Sequence, residues 1–273
     1  MSLLWRDELR IALSPERAVM VRLGKGLRRR VLDKRVESCV PAESESWQPS
    51  IVALKKLLDK QGGAEANVVL SSHFARYVTV PWSDAVSSEE ELSALALHRC
   101  NQVYGNLAAN WEVRVSPADF GAPMLACGIE RGLLEALRQC CADAGVRLGS
   151  VQPALMAAFN RWRGELSQNG GWFGMVEPGQ LTLALVKNGG WYAVQSRRME
   201  GALGEVLPGV LEQERLLTDL ADVPQKALIF APEQAGYAPA AGKWAMRALK
   251  LPSREGFSPH TDGMFGLAMC GGV

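Results

Sequence analysis

Glu177-Pro178-Gly179, followed by Thr182, places a carboxylate, a glycine and a hydroxyl around one tight turn between two apolar stretches, GWFGMVE and QLTLALVK. Some nucleotide-binding hairpins hold phosphate and metal with that set. The acid holds metal-bound water, and the glycine lets phosphate approach the backbone N–H groups. The plainer reading puts Pro178 and Gly179 in the two central positions of a type II turn with no ligand. The sequence favours the plainer reading, because so short a match arises readily by chance. Asn188 with Gly189-Gly190 suits a second hairpin loop in the same stretch.

Other chemistry is sparse. The three histidines are His73, His98 and His260, without HExxH or cluster spacing. His260-Thr261-Asp262 is the one close His/Asp grouping. No serine sits in a G-x-S-x-G elbow, and Walker A and GxGxxG patterns are missing. Cys39, Cys100, Cys127, Cys140, Cys141 and Cys270 form no CxxC pair and no zinc spacing. They read as small apolar packing residues, with adjacent Cys140-Cys141 as the redox alternative. The cluster Arg28, Arg29, Arg30, Lys34 and Arg35 reads as the solvated face of an edge strand rather than a phosphate contact. Glu89-Glu90-Glu91 after Ser88 reads as a capped helix start rather than a metal site. Trp82, Trp191 and Trp244 are candidate anchors for a partner, set against ordinary packing.

The 273 residues suffice for one large or two modest domains with a real core. With 48% hydrophobic and 22% charged residues the composition is that of a globular protein. A formal charge of +1 supplies no field for nucleic acid, so none is expected as a partner. No apolar run reaches the ~18 residues of a membrane span. The acidic start MSLLWRDE does not read as a signal peptide, so the expectation is a cytoplasmic protein.

Alternating residues on each side of Ser14-Pro15-Glu16 predict a hairpin, and LRRRVLDKRVESCVP a third strand. A helix is predicted at 49–60, strands at 68–71 and 74–82, and a helix from Ser88 to Val103. Strands at 111–115 and 124–129 precede a helix over 131–144 that ends at Gly145. Then come a strand (VRLGSVQ), a helix (PALMAAFNRW), the meander over 171–198, a helix at 209–220 after Pro208, and strands at 227–231 and 244–251. Each half opens with a meander, then a helix, then a short strand. The expected division is 1–82 as a first half, 83–145 as an inserted α-β-β-α subdomain, and 146–273 as a second half.

That order resembles the actin-like ATPase superfamily, in the branch of FtsA and the type IV pilus assembly protein PilM, and the cytoplasmic domain of the type II secretion protein GspL. The carrying segments are VVLSSHFARYVTVPW (68–82), SSEEELSALALHRCNQVYG (87–105), CADAGVRLGSVQPALMAAFNRW (141–162), the 171–198 meander and FGLAMCGGV (265–273). The resemblance implies an α/β, ribonuclease H-like duplicated fold with an insertion in its first half. It also implies two phosphate hairpins of D-x-G type and a Gly-Gly turn at the adenosine. Here the first turn, Ala12-Leu13-Ser14-Pro15-Glu16-Arg17, has neither Asp nor Gly, and Pro15 removes an N–H. Pro232-Glu233-Gln234 stands where the paired glycines belong, with Gly236 nearby, and Gly271-Gly272 lies close to the end.

The expectation is therefore a non-catalytic scaffold or adaptor of a pilus or secretion assembly with no cofactor. In it Glu177, Gly179 and Thr182 are a vestigial second phosphate hairpin. Its implied partner is the cytoplasmic segment of an inner-membrane pilus or secretion protein, with an assembly motor ATPase second and homo-oligomerisation left open. With no span following, the resemblance points to a separate soluble subunit of the PilM kind. The alternative is an active ATPase or small-molecule kinase of the same superfamily, using ATP and Mg²⁺.

Overall fold

The computed structural model describes residues 6–26, 29–40, 46–166, 170–218, 220, 222–234, 236–239 and 242–271. Apolar alternation on both sides of Ser14-Pro15-Glu16 gives β1 (Glu8–Leu13) and β2 (Arg17–Leu23), paired antiparallel with Leu13 opposite Ala18. β3 (Val31–Ser38) extends the meander on β2. α1 (Gln48–Leu58) carries Pro49 in its first turn, where no N–H is needed, and packs its buried Ile51, Leu54, Leu57 and Leu58 face on β2 and β3. β4 (Glu65–Leu70) runs parallel to β1. β5 (Ala75–Val80), α2 (Glu89–Tyr104), β6 (Trp111–Ser116) and β7 (Met124–Glu130) follow.

α3 (Arg131–Asp143) ends in a Schellman motif. Gly145, at φ 65°, donates its N–H to the Ala142 carbonyl, and the Val146 N–H reaches back to Cys141 at 2.9 Å. β8 (Arg147–Pro153) and α4 (Ala154–Trp162) come next. The 171–198 stretch then forms β9 (Gly171–Glu177), β10 (Gln180–Lys187) and β11 (Gly190–Arg198), all antiparallel. α5 (Leu203–Leu217), β12 (Lys226–Phe230), β13 (Ala245–Leu249) and the short α6 (Gly266–Cys270) complete the chain.

Two five-stranded sheets share one topology. The first has the order β3-β2-β1-β4-β8 and the second β11-β10-β9-β12-β13. In each, a three-stranded meander is followed by two strands parallel to its first member. The second sheet buries Trp172, Val176, Leu181, Leu183 and Leu185 against Leu203, Leu207 and Leu211 of α5. A third sheet, β5-β7-β6, packs Val78, Val80, Trp111 and Ala126 with Ala96 and Cys100 of α2.

The described chain divides into two compact units. One comprises residues 1–75, 130–161 and 250–273, and the other 76–129 and 162–249. This grouping differs from the expected division at 83, 145 and 146. β8 hydrogen-bonds to β4 in the first sheet, and α6 packs on β1, β2 and β4, so 147–153 and 266–270 are completed by the first half. α3 likewise packs on α1 and β8. Sequence order hides these pairings because both strand–helix returns are long-range.

α5 begins at Leu203, ahead of the expected 209, with Pro208 inside it. The missing Pro208 N–H breaks one intrahelical bond. The buried stripe Leu203, Leu207, Val210, Leu211 keeps the helical period across it and sets the start.

Candidate functional site

The 171–198 meander makes its first turn at Pro178-Gly179. Gly179 adopts φ 70° after proline, the pattern of a type II turn. Its carbonyl accepts the Met199 N–H at 3.0 Å. Glu177 ends β9 opposite Gln180 and is buried. Thr182 is fully buried, and its hydroxyl lies 3.0 Å from that of Ser196 on β11. Residues directly opposite across an antiparallel ladder share a face. Glu177, Gln180, Thr182, Met175 and Ser196 therefore line the same side of the second sheet.

Ser196 was not legible in the sequence. A bulge in the β10–β11 ladder between Leu185 and Val186 shifts the register and brings Ser196, rather than Gln195, opposite Thr182.

The equivalent turn of the first sheet is closed on itself. The Ser14 N–H donates to the Arg17 carbonyl at 3.0 Å, and the Arg17 N–H donates to the Ser14 hydroxyl at 3.2 Å. Pro15 has no N–H at all. The turn carbonyls are held too: Ser50 donates its hydroxyl to Ser14 O at 2.8 Å, and the Cys39 N–H reaches Glu16 O at 2.8 Å. Burial raises the Cys39 thiol, with its Ser50 contact opposing. A phosphate cradle needs several convergent free amides. In this turn those of Ser14 and Arg17 are engaged.

Beside this turn, the Ser71 N–H donates to Leu13 O at 2.9 Å, and the Ser71 hydroxyl lies 2.9 Å from His73 Nδ1. The same hydroxyl accepts the His73 N–H at 3.2 Å, closing a local serine turn. Ser71 is fully buried, so the couple presents no nucleophile to solvent.

The other candidates disperse. His98 faces Gln102 one turn along α2, with their side-chain nitrogens 3.0 Å apart. The His260/Asp262 grouping is split. Asp262 accepts the Ser258 N–H at 2.9 Å and pairs with Lys34 at 2.7 Å, while His260 is exposed. Burial alone would raise the Asp262 carboxyl, but the Lys34 hydrogen bond, the Ser258 N–H and the Lys34 charge outweigh it and hold it low.

The basic cluster is shared among carboxylates: Arg29 with Glu8, Lys34 with Asp262, and Arg35 with Asp33 at 2.6 Å. Arg28 and Gly272 lie outside the described residues. Ser88 caps α2 by accepting the Glu91 N–H at 3.2 Å. The Ser87 N–H, then the Ser87 hydroxyl, hold the Glu91 carboxyl below the ordinary range. Trp191 and Trp244 are buried, and Trp82 is exposed.

All six cysteines are free and buried. Burial, then the neighbouring Cys140, pushes the Cys141 thiol up to about 11. Among the described residues no group of three His, Cys, Asp or Glu is placed to hold a metal, and no helix is long and apolar enough to cross a membrane.

No family model and no curated protein matches the chain. Solved structures do. The cytoplasmic domain of EpsL, an inner-membrane component of the type II secretion system of Vibrio cholerae, is similar with TM-score 0.62 and 11% identity, over 98% of this chain and 96% of that one. A chain of the PilM–PilN type IV pilus biogenesis complex is similar with TM-score 0.63 and 11% identity, over 96% of each. A Bacteroides thetaiotaomicron protein of actin-like ATPase fold gives TM-score 0.51 and 11% identity, over 83% of this chain and 82% of that one. The paired five-stranded sheets are thus the duplicated actin-like ATPase fold, in the form shared by the EpsL cytoplasmic domain and the PilM–PilN complex.

Proposed function

We propose that this chain is a non-catalytic cytoplasmic adaptor in a bacterial secretion or type IV pilus assembly, holding the cytoplasmic segment of an inner-membrane protein. One observation carries the non-catalytic part. The first turn lacks the Pro15 N–H and has the Ser14 and Arg17 amides bonded within the turn. Phosphoryl transfer relies on positioned backbone donors and metal, and the loss of one cradle removes several of these together. Glu177, Gly179 and Thr182 are on this reading a relic of the second cradle, with the Thr182 hydroxyl committed to Ser196. The assembly part is supported by the shared fold with an inner-membrane secretion component and with a pilus biogenesis complex. A motor ATPase is a second partner on the same reading.

Calorimetric titration of the full chain with Mg-ATP tests it. The adaptor shows no saturable binding tighter than about 100 μM, roughly −5.5 kcal/mol. Tighter binding with turnover would establish the ATPase or kinase instead. Light scattering against concentration reads the oligomeric state.

A further inference from the structure

Trp82 and Phe120 form an edge-to-face pair, ring centroids 5.1 Å apart and planes at 66°. Phe120 is 92% exposed and Trp82 39%. Two large aromatic rings stacked on each other in water are an unusual surface feature, and such residues dominate binding hot spots. The loop that carries Phe120 is fixed. The Ala122 N–H donates to Asp119 O at 3.0 Å, and the Trp191 N–H to Pro123 O at 2.7 Å. A Cβ on Gly190 would stand 2.8 Å from Ala122, so the β10–β11 hairpin lies hard against this loop. The backbone that carries Phe120 is therefore held before any ligand arrives, which lowers the ordering cost of binding.

The two segments that carry the pair bear charge of one sign. From Tyr77 to His98 and from Val115 to Glu130 the chain carries no Lys or Arg. Asp84, Glu89, Glu90 and Asp119 in those stretches are all exposed. An aromatic pair with an acidic rim selects a planar cation, since a guanidinium stacks on aromatic faces while forking to carboxylates.

We propose that Trp82 and Phe120 dock an arginine-bearing basic segment of another protein, with its guanidinium on the rings and its charge met by Asp84 and Asp119. This goes beyond the adaptor reading and holds or fails whether or not the chain binds ATP.

The test titrates the full chain with three synthetic peptides of one length, alternating Leu with Arg, Lys or Glu. The arginine peptide is expected to bind saturably, more weakly as salt is added, and more tightly than the lysine peptide. Phe120→Ala, at a site too exposed to disturb folding, is expected to lower its affinity about tenfold or more, and Asp84→Lys to lower it as well. Equal binding of the Arg and Glu peptides, equal affinity for Arg and Lys, or affinity unchanged in both variants overturns the proposal. So does self-association of the chain that Phe120→Ala abolishes, because the occupant would then be a second copy.

Discussion

The two five-stranded sheets run the same ribbon with different contents. Both central strands, β1 and β9, are buried along their whole length. β9 fills that position with Trp172, Phe173, Met175 and Val176. β1 places Glu8 and Arg10 there, paired at 3.0 Å. Glu8 also takes Arg29 and the Asn67 amide, and Arg10 donates to the Met269 carbonyl of α6 at 3.2 Å. Arg10 so caps the end of that helix from the sheet beneath it.

The turns differ in parallel. The first is sealed by its own serine, whereas the second is a Pro-Gly turn around which a Cβ on Gly179 would meet nothing within 4 Å. The ribbon needs only buried strands and a meander to persist, and it tolerates either chemistry on them. The turns are what ligand binding would constrain, and they have diverged.

Substitutions on the two central strands test this contrast. Trp172→Ala, in a wholly apolar site, is expected to destabilise by about 3–5 kcal/mol in urea unfolding. Glu8→Ala should cost about 3 kcal/mol by the same measurement, since it leaves Arg10 buried without its carboxylate. A near-neutral Glu8→Ala would mean that the remaining contacts of Arg10, the Met269 carbonyl among them, compensate its charge.

The two hairpin glycines separate next. A Cβ on Gly190 would stand 2.8 Å from Ala122 Cβ and 3.0 Å from Pro123 Cδ, neither of which can rotate away, whereas Gly179 has φ 70° and open space. Gly190→Ala should therefore cost about 2–3 kcal/mol, against about 1 kcal/mol for Gly179→Ala, which meets only the backbone penalty. Equal melting temperatures for the two variants would refute the packing of the β6–β7 loop on the second hairpin.

The smallest effect is a titration. Hydrogen bonds from Arg215, then Lys243, hold the half-buried Glu212 carboxyl at about 2, below its ordinary 4.5. Its folded value is depressed, so its contribution is present above pH ~4.5 and lost as pH falls toward ~2. Carbon-detected NMR should place the midpoint there, and Lys243→Met should raise it.

Much of the fold could be read from the chain. Strand alternation around Ser14-Pro15-Glu16, the Ser88 cap, the Gly145 stop and the Asn188-Gly189 loop each rest on local chemistry, and each stands where expected. Asn188 at φ 47° and Gly189 at φ 70° both take the left-handed conformation that such a loop requires. The assignment of β8 and α6 to the first sheet could not be read, because it depends on contacts spanning most of the chain. Nor could the Thr182–Ser196 pair, because one bulge sets its register. The burial of Glu8 and Arg10 is likewise illegible in sequence, because only the partners from β4, the Arg29 segment and α6 make it tolerable.

On the proposed adaptor reading, the first turn holds no phosphate. Backbone amide NMR of the full chain during Mg-ATP titration reads it at the atoms concerned. The expected result is that the resonances of Ser14, Glu16 and Arg17 stay in place up to millimolar nucleotide, whatever happens at Gly179 and Gln180. Saturable shifts of those three, moving together with Gly179, would show a working clamp and contradict it.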